Sequence, residues 1–431
     1  MYRTALAAAL RSPGCERTRL GRVRYHRQVN ETLDVLIVGG GLVGASLAIA
    51  LDDSGLAVAL AEAVPPRVDL QPSYDERNLA LARASVNALE ALGVLDAASP
   101  ATPIRRIHVS RRGDFGAARL DAAELGLPAF GAVIPARELG NALLRRLDAC
   151  TRLVRVAPAK AVAIEANADA LRVDLRSGDS TRSVRTRLLV GADGSESFVR
   201  SALGIDVQRH DYRQSAIVTA VTVDKPLDGL AYERFTDSGP VALLPLGERR
   251  AGLVLSVPTE QAEGVAALDD AAFIAFVHER FGWRAGRFTR PGRRKPYPLA
   301  RVLADRTSAA RSVLVGNAAQ TVHPLGAQGF NLGLRDALVL AELLRDAQSS
   351  GADPGADALL ARHVERRADD RAATTAFSDE LVRLTGSDFL PLRIARSLGL
   401  HALDRIAPLK RGFALRGMGF RGDTPAAGLS R

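Results

Sequence analysis

An α/β fold is predicted, with a parallel nucleotide-binding sheet, an inserted antiparallel sheet and a helical C-terminal segment; three features of the sequence point to it. From residue 33 the apolar pattern reads strand, glycine turn, helix, stop and strand. Two later runs, residues 187–190 and 312–315, each enter a glycine-containing turn and lead into a helical pattern. Between them, residues 216–223 and 241–246 alternate with the two-residue period of half-buried antiparallel strands.

The first unit is a strand over residues 33–38, a helix over 42–53, a Ser54-Gly55 stop and a second strand over 56–61. Its turn, Gly39-Gly40-Gly41-Leu42-Val43-Gly44, is a G-x-G-x-x-G between strand and helix. One glycine permits the tight turn, one lets backbone approach a pyrophosphate and one lets helix and strand pack closely. The helix N-terminus then offers unpaired N–H groups to phosphate. Gly39, Gly41, Val43 and Gly44 are therefore candidate cofactor-binding residues. Glu62, 18 residues after Gly44, ends the second strand where an acidic side chain can take hydrogen bonds from an adenosine ribose. Dinucleotide binding by a Rossmann-like layer follows from this context; the motif alone does not say which dinucleotide.

The second sheet is expected to be interrupted by Pro226, Pro240 and Pro245. After Phe330 the main helical stretches are 337–346, 356–384 and 390–409, with a loop at 349–353. No internal repeat is evident.

The chain has 431 residues, 47% apolar and 25% charged, as an ordinary globular protein does. Two cysteines, Cys15 and Cys150, make no disulfide framework, and no Cys/His spacing suits a metal, so a reducing compartment is expected. The apolar run of residues 35–51 holds four glycines and is read as strand, turn and helix rather than a membrane span. The net charge of +10 is carried by the two ends. Residues 1–30 hold seven arginines against one glutamate, and residues 383–431 nine basic against three acidic side chains. This placement argues against a nucleic-acid face across the fold. The N-terminal segment reads either as a transit-like sequence or as an extension outside the fold. The basic, apolar run of residues 389–413 reads either as a helix resting on a membrane or partner, or as one packing on its own domain.

Two downstream stretches discriminate among dinucleotides: residues 189–195, Leu-Val-Gly-Ala-Asp193-Gly-Ser, with Arg200 after them, and residues 315–331, which run from Val-Gly-Asn317 through Pro324, Gly326, Ala327, Gln328 and Gly329 to Asn331. They resemble the second and third fingerprints of the flavin aromatic hydroxylases, the family that includes p-hydroxybenzoate hydroxylase. Asp75-Glu76-Arg77 looks like that family's arginine-bearing segment beside the flavin. Asn317 and Gln320, where most of the wider family has aspartate and histidine, look like the ubiquinone-biosynthesis branch of 2-polyprenyl-6-methoxyphenol hydroxylase type. Residues 107–110, 115–116, 211–214 and 232–236 agree with it, so the likeness spans about residues 33–420. One departure stands out: the family usually has Ala-Gly before the glutamine of the flavin loop, where this chain has Gly326-Ala327. The exchange is expected to move the permissive backbone position by one residue.

The resemblance implies FAD as cofactor, NAD(P)H as reductant, a flavin C4a-hydroperoxide, and transfer of one oxygen atom from O2 to a polyprenyl-phenol ring. Asn317 would accept from a ribityl hydroxyl, and the helix after residues 324–331 would stabilise charge on the reduced ring. Expected divisions are a basic extension at 1–32, FAD-binding parts at 33–110, 126–205 and 301–350, substrate-sheet parts at 111–125 and 206–300, and C-terminal helices at 351–431. Cytoplasmic placement, peripheral to the inner membrane, follows. No catalytic side chain is assigned, since such chemistry is carried by the cofactor. His108 and His323 read as structural, Tyr232 and Arg234 as lining the second sheet or its solvent side, and His363, Glu365 and Arg366 as an exposed helix face. The rival readings are another ring hydroxylase of the same pathway, a flavin-dependent polyprenyl reductase, and a non-catalytic lipid carrier.

Overall fold

The structure is a computed structural model, and it describes residues 32–64, 77–167, 169–386 and 389–420. The basic extension and Asp75-Glu76 lie outside the described residues. The strand Leu33–Val38 sits inside a sheet whose order is Ser308–Ala309, Ser312–Leu314, Ser180–Gly191, Leu33–Val38, Val58–Ala61, Val154–Val156. Its parallel register runs Val35 to Val58 on one side and Val35 to Leu188 on the other. Val35 and Ile37 enter one core with the helices Leu42–Ala50, Ala136–Ala149 and Gln328–Ser350, while Leu36 and Val38 enter another on the opposite face. Both faces are covered, which is why this strand reads as continuously apolar from Val35 to Val38. Val58–Ala61, the next strand in sequence, pairs on one side and the later Ser180–Gly191 on the other, so a topological switch point lies at its carboxyl end, where ligands bind in such sheets.

A second sheet, nine-stranded among the described residues, is mostly antiparallel. The helices Thr259–Ala267 and Asp270–Phe281 cover one of its faces through Leu243, Leu253, Phe273 and Phe281. Arg106–Arg111 belongs to this sheet, so the chain crosses into it before residue 111. Gln320–Thr321 also pairs with it, opposite Val302 and Leu303. Pro240 and Pro245 do not interrupt the sheet. They stand second and last in the strand Gly239–Pro245, where missing N–H groups cost least. A small sheet of Asn78–Ala82, Gly131–Pro135 and Thr102–Ile104 lies alongside.

The helical boundaries differ from expectation at several places, among them the helix expected over 337–346, which runs Gln328–Ser350. The first helix ends at Ala50, followed by a turn. The stretch 349–353 is not all loop, because the helix from Gln328 runs to Ser350 and ends on left-handed Gly351. The run 390–409 is split into Leu390–Arg405 and Ala407–Gly417, since Ile406 is extended ahead of Pro408, whose ring is tolerated only in a first turn. Among the described residues no helix is long and apolar enough to cross a membrane.

Candidate cofactor groove

The glycine turn divides its labour by geometry. A Cβ on Gly39, which has φ +107°, would lie 2.4 Å from the Ala192 carbonyl oxygen, and one on Gly44 only 1.9 Å from that of Gly39. These two close the turn on its neighbours. Gly41, at φ −65°, would meet nothing within 4 Å and faces open space at the start of the helix Leu42–Ala50. Glu62 Oε2 accepts the Gly40 N–H at 2.5 Å and Oε1 that of Val64 at 2.9 Å, so the carboxylate braces the turn from the second strand.

The other two fingerprints meet the first directly. A Cβ on Gly316 would touch Val43 at 3.1 Å, and one on Gly333 would lie 2.8 Å from the Gly316 Cα. Glycine at these points lets the first and third fingerprints and the long helix approach each other. In the second fingerprint, Asp193 takes Ser197 Oγ at 2.5 Å and the Val199 N–H at 3.0 Å. Its carboxylate therefore caps the short helix Phe198–Ala202. Arg200 is buried and donates to the Ser195 and Ala318 carbonyls at 2.8 and 3.1 Å, tying the second fingerprint to the third. The sequence marks Arg200 without showing this role. Asn317 is exposed although its neighbours from Val313 to Gln320 are all buried.

The loop of residues 324–331 carries two left-handed residues in succession, Gly326 at φ 68° and Ala327 at φ 53°. The Gly-Ala order thus does not shift the permissive position by one; both positions are left-handed, and one of them bears a side chain. Pro324 and Gly326 are exposed, Ala327 and Gly329 half-buried, and Gln328 buried. Gln328 Nε2 donates to the Gly326 carbonyl at 2.9 Å, while its buried Oε1 has no partner among the described residues. Asn331 is 1% exposed; it accepts the Ala82 N–H at 2.9 Å and donates to the Ala80 and Ala327 carbonyls at 3.0 and 2.7 Å. It holds the loop against the small sheet. Arg77, at the edge of that sheet, lies 5.6 Å from the Tyr297 ring centroid.

Beneath the loop helix runs a buried ionic chain that sequence reading missed. Gln320 Nε2 donates to Asp336 at 2.5 Å, Arg367 to Asp336 at 2.8 Å and to Asp370 at 2.5 Å, and Arg335 to Asp370 at 2.6 Å. Burial opposes the ionisation of Asp370, but the Arg335 and Arg367 guanidiniums outweigh it and hold the carboxyl below its ordinary range. The only signal was the charged Arg335-Asp336 pair inside an apolar helix. His363, expected on an exposed face, is 2% exposed, with Nε2 3.1 Å from the Asp336 carbonyl; the helix Asp357–Gly386 packs that side inward, leaving Glu365 outside.

The two other singled-out histidines hold structure. His323 Nδ1 accepts the Leu325 N–H at 3.1 Å, and burial pushes its pKa down to about 4. His108 is likewise lowered to about 4, by burial and by Arg284, Arg119 and Arg234. Both are neutral near pH 7. Tyr232 packs 5.4 Å from Phe281 on the helix-covered side of the second sheet, and Arg234 donates to Ser110 on the same side. Together, an open glycine turn at a helix N-terminus, an exposed amide and a left-handed loop ahead of a second helix N-terminus form a groove suited to an extended anionic dinucleotide with a flat ring at one end.

Comparison with known proteins agrees with that groove. A family model described as FAD binding domain matches residues 32–378. The chain is 39% identical over 391 residues to ubiquinone hydroxylase UbiL of Rhodospirillum rubrum, covering 90% of each chain. It is 34% identical to 3-demethoxyubiquinol 3-hydroxylase of Escherichia coli, over 89% of this chain and 97% of that one. In fold it is similar to the crystal structure of p-nitrophenol 4-monooxygenase PnpA from Pseudomonas putida, with a TM-score of 0.75 at 20% identity, over 91% of this chain and 99% of that one. The chain belongs to the FAD binding domain family, among the FAD-dependent hydroxylases of ubiquinone biosynthesis.

Proposed function

We propose that the protein is an FAD-dependent monooxygenase that hydroxylates the ring of a polyprenylated methoxyphenol in ubiquinone biosynthesis. The observation that carries this reading is the meeting of three fingerprints at the carboxyl end of one parallel sheet, where Gly41 opens to space while Gly39 and Gly44 are sealed. The residues fit FAD. Backbone at Gly41 and Val43 would face the pyrophosphate, and Glu62 the adenosine ribose. Asn317 would accept from the ribityl chain, and Pro324, Gly326, Ala327, Gln328 and Gly329 would lie along the ring. Asp193 would act through the turn it caps, Asn331 through the loop it pins, and Arg77 from the adjoining small sheet. Bound FAD supplies oxygen activation and oxygen transfer, and a nicotinamide, NAD(P)H, is the reductant. The protein's own work is to orient the phenol and exclude water.

A membrane contact is part of the proposal, because the substrate is polyprenylated. One side of the helix Leu390–Arg405 is held to its own sheet, with Arg393 and Arg396 both bonded to Asp114. Leu390, Ile394 and Leu398, spaced one turn apart, are exposed, as are Phe389, Ile406 and Leu409. Such an apolar edge beside basic residues suits an anionic bilayer surface.

The test supplies the purified holoprotein with labelled molecular oxygen, NAD(P)H and a polyprenyl-methoxyphenol in anionic phospholipid vesicles. One labelled oxygen atom per product is expected, and its position on the ring gives the carbon hydroxylated. Turnover without label would fit a reductase and overturn the reading; protein without a flavin spectrum would fit a lipid carrier. Sedimenting the same vesicles checks the membrane contact, which predicts co-sedimentation that Ile394→Glu with Leu398→Glu abolishes.

A further inference from the structure

Between Tyr232 and Arg234, which face the helices, stands Glu233. Alternate side chains of a strand leave on opposite faces, so Glu233 points away from the helices, to the face that Ala231 and Leu244 share with Ala80 and Val133 of the small sheet. Asn331 pins the end of the loop 324–331 to that same small sheet. The helix Asp357–Gly386 packs against the strands Leu230–Thr236 and Gly239–Pro245 and against the turn Leu325–Ala327. Glu233 therefore lies in the cleft between the second sheet and the loop. Its neighbours across the sheet are Val109 and Ala242, then Val254 and Val218, with Phe235 next on the same face. These immediate neighbours are apolar, and Arg111, Lys295 and Tyr297 stand further along the same face.

Glu233 sits deep in the protein yet keeps part of its surface open, as a residue lining a cleft does. Among the described residues its oxygens take no hydrogen bond and meet no ion pair. The charged groups on the facing elements are engaged elsewhere. Lys295 and Arg77 lie over the Tyr297 ring, Arg111 pairs with Asp237 and Asp114, and Asp379 pairs with Tyr212 and Arg301. Burial without a countercharge pushes the carboxyl up from 4.5 to about 7. An unpaired buried acid costs stability and is kept where it has work to do.

We propose that Glu233 is the base that takes the hydroxyl proton of the phenolic substrate. This rests on the hydroxylase reading above. The phenol O–H bond breaks, its proton passes to a Glu233 carboxylate oxygen, and the electron pair left on the phenol oxygen enriches the ring carbons that accept the new C–O bond. No electron enters or leaves in this step, and the proton returns when the product hydroxyl re-forms. A phenol ionises near ~10. A carboxyl near 7 is therefore a far better matched base than one at 4.5, and still ionised enough to act above neutrality.

The test compares wild-type holoprotein with Glu233→Gln and Glu233→Asp. Expected for E233Q is an unchanged flavin spectrum and a fall in kcat/KM of about 100-fold or more. The acid limb of the wild-type pH profile, centred near 7, should vanish, and the deficit should shrink with a ring-fluorinated phenol of lower pKa. Equal activity and an identical pH profile in E233Q would overturn the assignment. A second reading needs no turnover: wild type should bind a short-chain methoxyphenol more tightly than its methyl ether above pH 7, losing that preference as pH falls, whereas E233Q should show none of this pH dependence. Should wild type give no labelled product, the hydroxylase reading fails, and this binding comparison still decides for or against Glu233 as the phenol's partner. If E233Q loses its flavin, E233D carries the test: a slower enzyme that keeps an acid limb supports the assignment, and a flat profile overturns it.

Discussion

At the glycine turn, Gly39 and Gly44 press their backbone against the strand and helix beside them, whereas the loop of residues 324–331 is held by side chains joined to chain about 250 residues away. Backbone packed on backbone, Gly44 on Gly39 and Gly39 on Ala192, thus closes the first end of the groove, while the second stands on Asn331, on the small sheet and on the ionic chain below the long helix. The first region is rigid by steric necessity, so its substitutions should act in an all-or-none way. The second is rigid by many modest bonds, and its substitutions should act by degrees.

The largest effect is expected at the turn. Gly44→Ala places a Cβ 1.9 Å from the Gly39 carbonyl oxygen, and no side chain can move to relieve a backbone clash. It should yield no soluble folded protein. The Cβ of Gly41→Val meets nothing within 4 Å, so the variant should fold with a wild-type far-ultraviolet spectrum yet retain no FAD. Normal flavin content in G41V would show that the groove does not run past this residue, and the contrast between the two ends would lose its meaning.

A graded effect is expected beneath the loop. Among the described residues, Asp370→Asn leaves Arg335 buried with no ionised partner and Arg367 with Asp336 alone, and breaking such a buried pair costs about 3–5 kcal/mol. The wild-type carboxyl is held below its ordinary 3.8, so its contribution is complete above that value and is lost as pH falls through the lower folded value. Urea unfolding from pH 3 to 7 checks both points: D370N should be less stable near neutrality, and its deficit should narrow in acid. A constant deficit across that range would mean that Asp370 is not the ionised centre of the network.

The same contrast explains which parts of the groove are legible in the amino-acid sequence. The glycine turn is legible because its requirements are local: a strand, three spaced glycines and a helix announce one geometry. Asn317 is legible through its resemblance to a family pattern, and its exposure among buried neighbours gives that resemblance a physical form. Arg200, Asp336 and Asp370 are not legible, since a charged residue in a helical pattern reads as solvated until packing shows that it is enclosed. Misreading His363 as exposed has the same cause. Glu233 escapes notice beside Tyr232 and Arg234 because strand alternation tells which residues share a face, and only the tertiary packing tells which face meets the groove.

The smallest effect sharpens the comparison most, because it asks whether the loop is strained where the glycine turn is not. Ala327 adopts φ 53°, a left-handed conformation that costs a residue with a Cβ roughly 1–2 kcal/mol. Glycine removes that cost but frees the unfolded chain, which takes back about 0.4–1 kcal/mol. Ala327→Gly should therefore stabilise the protein by about 0.5 kcal/mol, visible as a small rise in Tm with FAD content unchanged. Gly326, at φ 68°, is the control: Gly326→Ala puts a second side chain into left-handed backbone beside the first and should lower Tm. If A327G instead destabilises the protein and loosens FAD, the Ala327 methyl group has a packing role at the cofactor, and the loop would be shaped by contact, as the glycine turn is.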